Sequence, residues 1–367
     1  MKRLLIAAGG GGDPITAAMV HAALHGPDTP ALVLTYAWER LVVDPVPGPR
    51  GAADFTGTEP AAPGLALITP ATAPRAPAGS LLPRLSGALR PRLGLLDPYG
   101  GTRGLARQIT AAARWCRADR IDLVDVGGDI VAHGDEPTLR SPLGDALAVA
   151  ACAETGLPTT VYVAGPGLDN EVPLPDLLPR LGEPALTLEA AHTEVVAGVF
   201  DWHPSEAGAL LVAAARGIRG VCGTRDAPRP VLLDAGSRQV HRLTLDRVLE
   251  LSPLARALAG CTALQDAEEA SRTVCGFSEI ARERHRAAHP DTPPAPPHRP
   301  DRDPAAVLDR FAAWERDALA QGIAYATTRR ITEELGLTAP EAHALLTGLR
   351  TAGPVRHVPP LWRLAAP

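Results

Sequence analysis

The fold class predicted by the sequence is α/β: a Rossmann-like, doubly wound, mostly parallel sheet followed by a small C-terminal winged-helix-like domain. Three observations predict it. Short apolar and β-branched runs alternate with amphipathic stretches of ordinary helix length, the pattern of strand–helix–strand units around a parallel sheet. Three of those runs break into glycine and acid, at Gly9-Gly-Gly-Gly-Asp13, Asp125-Val-Gly-Gly-Asp129 and Gly165-Pro-Gly-Leu-Asp169. A proline-rich stretch over residues 288–304 then sets the last helices apart, since so many prolines forbid helix and central strand alike.

Taken in order, residues 3–8 form a strand that runs into the glycines and then into a helix over 15–24. This arrangement turns backbone N–H groups and a helix N-terminus toward a polar ligand. It has neither the Gly-x-Gly-x-x-Gly spacing of a dinucleotide fingerprint nor the Gly-Lys-Ser/Thr of a phosphate loop. A carboxylate at Asp13 repels a bare phosphate, so it suits a ribose hydroxyl, an amine or a bridging cation, or else caps the helix ahead of Pro14. A second strand covers 30–35 and a third 65–69, with Glu39, Arg40 and Arg50 on the loop between them. Arg103, at the start of a helix over 105–117, is the cation best placed for an anionic group.

The stretch Asp122-Leu-Val-Asp-Val-Gly-Gly-Asp-Ile130 organises the rest. An apolar strand that ends in two glycines and an acid, then a polar loop with Glu136, then Ser141 and Asp145 at the head of a helix over 143–155, delivers side chains to a crevice at the sheet's edge. Gly127 and Gly128, like Gly9, Gly10, Gly11 and Gly12, let backbone come close to whatever the acids hold. The strand Thr159–Ala164 ends in the segment with Asp169 and Glu171. Further on come His203 as an acid or base or a capping residue, a helix over 207–216, a strand over 231–234, and a helix over 242–251. After the prolines, helices over 305–319 and 327–335 and a third opened by a Thr338/Glu341 capping box precede a small β-wing over 355–364.

Composition narrows the function. With 367 residues, 46% hydrophobic and 21% charged, the chain has the makings of one large domain over 1–287 and a module over 305–367. A net charge of −5 argues against a protein that coats nucleic acid. DNA contact through 327–364 would rest on Glu341, His343, Thr347 and the single arginine Arg350, a thin set for a recognition helix. Five scattered cysteines without paired spacing read as reduced thiols. No leader or membrane-spanning run is evident, so a cytoplasmic protein without a membrane partner is expected.

With those residues in view, the four motifs that contain Gly9 to Asp13, Val124 to Ile130, Gly134 to Asp145 and Gly165 to Glu171 resemble the family called domain of unknown function 1152, over residues 1 to about 286. That family has a second glycine where this chain has Asn170. The resemblance implies that Asp13, Asp125, Asp129, Ser141, Asp145, Asp169 and Glu171 converge on one pocket, and it names no reaction.

Such a pocket suits an enzyme acting on a nucleotide, nucleoside or phosphorylated sugar, as a hydrolase or transferase. Asp129 or Glu171 would be the acid or base, Asp125 would join them in the chemistry, and Asp125 and Asp13 would hold a ribose or a metal ion. The glycines, Arg103, Glu136, Ser141, Asp145 and Asp169 would bind substrate. No residue set has zinc spacing and none is assigned as a metal site; the cofactor stays open, with Mg²⁺ a candidate that such acids suit. A metabolite-sensing regulator with the C-terminal module as its output, and a non-catalytic subunit that associates with its own copies, are the competing readings.

Overall fold

The computed structural model describes residues 2–225, 229–289, 302–352 and 356–365. Its main body is a large, mostly parallel nine-stranded sheet. Five parallel strands form the centre, in the spatial order Thr159–Ala164, Ile121–Val126, Leu4–Ala7, Leu32–Tyr36 and Arg92–Leu96. Antiparallel Leu65–Ile68 and then Glu59–Ala62 extend one edge, and Gln239–Thr244 and then Pro184–Thr187 extend the other.

Side chains alternate across the sheet, so each central strand feeds two cores. Leu4 and Ile6 pack with Ile109 and Leu147 of the helices Gly101–Cys116 and Pro142–Thr155 on one face. Leu5 and Ala7 pack with Ile15 and Leu210 of the helices Asp13–His25 and Glu206–Ala215 on the other. Fully burying each such side chain contributes roughly 1.5–3 kcal/mol, which is why the central strands read as unbroken apolar runs.

The chain fills the sheet outward from Leu4–Ala7 through Leu32–Tyr36 to Arg92–Leu96, then returns to the other side of Leu4–Ala7 with Ile121–Val126. The connections leaving Leu4–Ala7 and Ile121–Val126 therefore diverge. A crevice opens between them at the carboxyl edge of the sheet, and both glycine–acid motifs border it.

Among the elements that differ from the sequence reading, three bear on the sheet. The third central strand is Arg92–Leu96, which was not anticipated because Gly94 interrupts its β-forming character. Gly94 is there for packing, since a Cβ on it would stand 2.6 Å from a methyl of Leu34. Leu65–Ile68 is correspondingly an antiparallel strand, second from the edge of the sheet. The expected 242–251 helix begins only at Leu245, because Gln239–Thr244 pairs with Thr159–Ala164 and the Thr244 hydroxyl caps the helix at Arg247 N.

Most of the proline segment, 290–301, lies outside the described residues. Beyond it, helix Pro304–Ala320, strand Tyr325–Thr327, helices Thr328–Glu334 and Ala339–Ala352 and the pair His357–Val358 and Leu361–Arg363 enclose their own small core around Phe311, Ile331 and Trp362. Thr338 and Glu341 form the expected reciprocal cap. The sequence boundary is not a break in the sheet, however. Tyr325–Thr327 pairs in parallel with Gly220–Gly223 of the main body, completing a second sheet of five strands, and Leu361 joins the main body's core.

Candidate functional site

A cleft of about 980 Å³ lies at the crevice between the diverging connections. Gly9 to Asp13, Asp125, Asp129, Arg140, Ser141, Asp145, Asp169 and Glu171 all line it, so residues expected to meet from four separate stretches do so. Asp125 closes the strand Ile121–Val126, and Asp129 opens the short 3₁₀ turn Asp129–Val131. Asp145 sits in the first turn of Pro142–Thr155. Asp13 is the first residue of its helix, behind Gly12 at the N-cap. It does not cap that helix but turns back to accept a 2.6 Å hydrogen bond from Gly9 N.

These acids are buried side by side. Burial pushes Asp13 and Asp169 each up to about 7. Burial first, and then mutual repulsion among the acids, holds Asp125, Asp129 and Asp145 well above the usual carboxylate range. Asp125 Oδ2, Asp145 Oδ1 and Asp169 Oδ2 are buried without a hydrogen-bond partner. The side chain of Asp129 makes no hydrogen bond among the described residues, so it stands free to bind or release a proton in the cleft.

Glu171 is arranged differently. It accepts from Arg140 N at 2.7 Å, Ser141 N at 2.8 Å and Ser141 Oγ at 2.5 Å, and it pairs with the Arg140 guanidinium at 3.5 Å. Its oxygens are thus committed to holding the entry of the Pro142–Thr155 helix. His203 lines the cleft too, but burial pushes its imidazole down to about 3, and Nδ1 accepts from Ser205 N. It is a neutral acceptor beside the cap of Glu206–Ala215, the packing role rather than the acid–base one.

Four expected contacts fall elsewhere. Gly127 and Gly128 do not line the cleft. A Cβ on Gly127 would fall 2.2 Å from the carboxyl carbon of Asp169, and one on Gly128 would fall 2.7 Å from a methyl of Leu177, so both glycines make room for neighbouring side chains. Glu136 accepts from His133 N and Gly134 N and pairs with Arg180 at 2.6 Å, clasping its own loop. Arg103 is exposed at the start of Gly101–Cys116, where its backbone N–H donates to Cys261 O. It therefore supplies no charge to the cleft.

Glu39 and Arg40, from the loop singled out in the sequence, do line the cleft, and the rest of the cationic wall comes from residues the sequence reading passed over. Arg272, Arg282 and Arg286 line the cleft from Leu264–Cys275 and Glu279–Ala288, and Arg225 and Arg329 from the second sheet's side. Glu279 and Glu283 stand beside them. Glu283 accepts from Trp38 Nε1 and Gly48 N, while burial and the neighbouring Glu283 and Glu171 hold Glu279 well above the usual range. The one sequence signal was the spacing of Glu279 and Glu283 across a helical turn beside apolar Ile280. Arg329 and Glu333 belong to the C-terminal segment, which thereby completes one side of the cleft.

Fold and site together define an α/β protein with an acid-floored, arginine-walled cleft at the carboxyl edge of a mostly parallel sheet. The chain belongs to the family described as "Protein of unknown function (DUF1152)", whose model matches residues 4–287. No curated protein and no solved structure matches this chain.

Proposed function

We propose that the protein is an enzyme acting on a phosphorylated small molecule of nucleotide, nucleotide-precursor or sugar-phosphate type, in a Rossmann-like domain. The observation that carries this reading is the polarity of one cleft: unpartnered acids on its floor and arginines on its wall, at the point where strand order reverses. Open α/β sheets bind ligands at such reversals. The wall suits an anionic phosphate, which arginine binds through paired hydrogen bonds. The floor suits sugar hydroxyls, and Asp129, buried and with no side-chain hydrogen bond among the described residues, is the group to move a proton.

The test is a ligand panel of nucleoside mono-, di- and triphosphates, free nucleosides and sugar phosphates against the full chain, by thermal shift and native mass spectrometry. A phosphorylated member should bind and its unphosphorylated partner should bind far more weakly. Gly11→Val is the companion variant. The space around that position is open and lies in the cleft, and its φ of 50° is one that valine resists, so a valine side chain would obstruct ligand approach at a cost in stability that the melting temperature of the unliganded variant reads separately. Equal binding of phosphorylated and free nucleosides, or no binding by any member, would remove the proposal.

A metabolite-sensing regulator is the second reading, favoured by Arg329 and Glu333, which let a winged-helix-like C-terminal module feel the cleft's occupant. Its DNA-binding form is less favoured, because the candidate recognition helix's lone Arg350 rests over the Trp362 ring.

A further inference from the structure

We infer that Asp13, Asp125 and Asp145 form a binding site for one hard divalent cation, Mg²⁺ or a similar ion, on the floor of the cleft. Each residue offers a carboxylate oxygen, and the three oxygens lie within 4.8 Å of one another. They come from three elements that converge only in the folded chain: a helix start, a strand end and the first turn of another helix.

A cluster of acids is common on protein surfaces, but this one is buried. Asp125 is 1% exposed and Asp145 3%, and each has an oxygen with no hydrogen-bond partner. Among the described residues no arginine or lysine pairs with any of the three. On the floor, Arg140 pairs with Glu171. Buried carboxylates with neither a counter-ion nor a full set of donors are costly to hold, and a cation among them removes that cost.

Gly9 is an independent sign that the space is kept open. A Cβ there would stand 2.7 Å from Asp145 Oδ2 and 3.0 Å from Asp13 Oδ2, so any larger residue would crowd the oxygens. A second group of potential ligands, His133, Asp135 and Glu136, does not compete, because Glu136 is already spent on its loop and the other two are exposed.

An all-oxygen, all-carboxylate set selects Mg²⁺, Mn²⁺ or Ca²⁺ over zinc or copper. Oxygens on opposite sides of the ion are about 4.2 Å apart for Mg²⁺ and about 4.6–5.2 Å for Ca²⁺, so the observed span accepts either with small adjustment. Three protein ligands leave positions open toward the cleft, where a phosphate oxygen could complete the shell while the arginines take the others. The role in phosphate binding rests on the proposed function above, whereas binding of the ion alone does not.

The experiment therefore uses metal alone. Full-length protein stripped with EDTA and desalted is titrated with Mn²⁺ by electron paramagnetic resonance, and with Mg²⁺ and Ca²⁺ by calorimetry and thermal shift. One ion per chain should bind and raise the melting temperature. Asp125→Asn and Asp145→Asn should each weaken binding by at least roughly 100-fold, because changes merely adjoining a metal's ligands already cost 10–100-fold. Metal-free melting temperatures of both variants check that each remains folded. No saturable binding by the wild type overturns the inference, and so does unchanged affinity in both variants. Phosphorylated ligands that bind equally with and without metal would overturn the ion's role in phosphate binding and leave both the ion site and the functional proposal standing. A bound ion with no ligand from the panel would uphold the ion site and remove the functional proposal.

Discussion

At the scale of single residues, the cleft separates acids that look alike in the sequence. Asp129 and Glu171 were equal candidates for moving a proton, yet Glu171 is taken up by three hydrogen bonds and Asp129 by none among the described residues. Asp129→Asn should therefore lower turnover by roughly 10²–10⁴-fold, the usual contribution of a general acid or base. Its melting temperature should stay within a degree or two of wild type or rise, and a large fall in calorimetry would instead mark Asp129 as structural. Glu279 supports a prediction about pH. Burial and the like charges of Glu283 and Glu171 raise its pKa above the ordinary 4.5, opposed by Leu143 N–H and Arg286. The folded chain thus holds this proton more tightly than the unfolded chain, so stability is lost as pH rises above about 4.5 toward the folded value. In EDTA, the melting temperature should fall between mildly acidic and mildly alkaline pH. Glu279→Gln should flatten that slope, and an unchanged slope would assign it to other groups.

At the scale of elements, the glycine–acid turns are geometric devices. Gly127 has φ of 115°, a conformation that side chains resist, and its missing Cβ is the space the Asp169 carboxyl occupies. Gly127→Ala should thus cost about 1–3 kcal/mol through backbone strain and displacement of Asp169, read as a lowered melting temperature together with weakened ligand binding. A change in binding alone would return Gly127 to direct ligand contact. Much of this was legible in the sequence. Apolar runs ending in glycine and acid announce strand ends at a common edge, because that pattern combines a buried strand with a tight exit. What the sequence did not reveal were partners from distant segments. Gly127 looks like a ligand glycine until Asp169, far along the chain, is seen to fill its space. Arg92–Leu96 looks too weak for a central strand until Leu34 is found against Gly94. Arg272, Arg282, Arg286 and Arg329 face the cleft from helices whose charged residues are indistinguishable, in sequence, from solvated ones. Arg103 shows the converse, a cation beside glycines whose helix directs it outward.

At the scale of the whole molecule, the C-terminal segment bears on both fold and site. Its proline-rich tether suggests an independent appendix that could be cut after Ala288 with the main domain unaffected and the oligomeric mass changed. The contacts argue for a different outcome. Removal would strip the parallel partner from Gly220–Gly223, leaving an unpaired strand edge that invites association. It would empty the core position of Leu361 and take Thr327 Oγ1 and the Arg329 guanidinium from buried Glu206. Truncating a buried apolar side chain such as leucine alone costs about 2–5 kcal/mol. Loss of Arg329 and Glu333 would also open one wall of the cleft. The chain ending at Ala288 should therefore melt several degrees lower, tend to aggregate, and bind any ligand found for the full chain more weakly. Analytical ultracentrifugation, calorimetry and ligand titration on both forms check this. A truncated protein with unchanged melting temperature and affinity would make the segment peripheral. Arg329→Ala in the full chain separates the two contributions, because it leaves the strand pairing and Leu361 in place. If it weakens ligand binding with only a small change in melting temperature, the segment acts on the cleft directly, and its place in the sheet is what holds that arginine over the site.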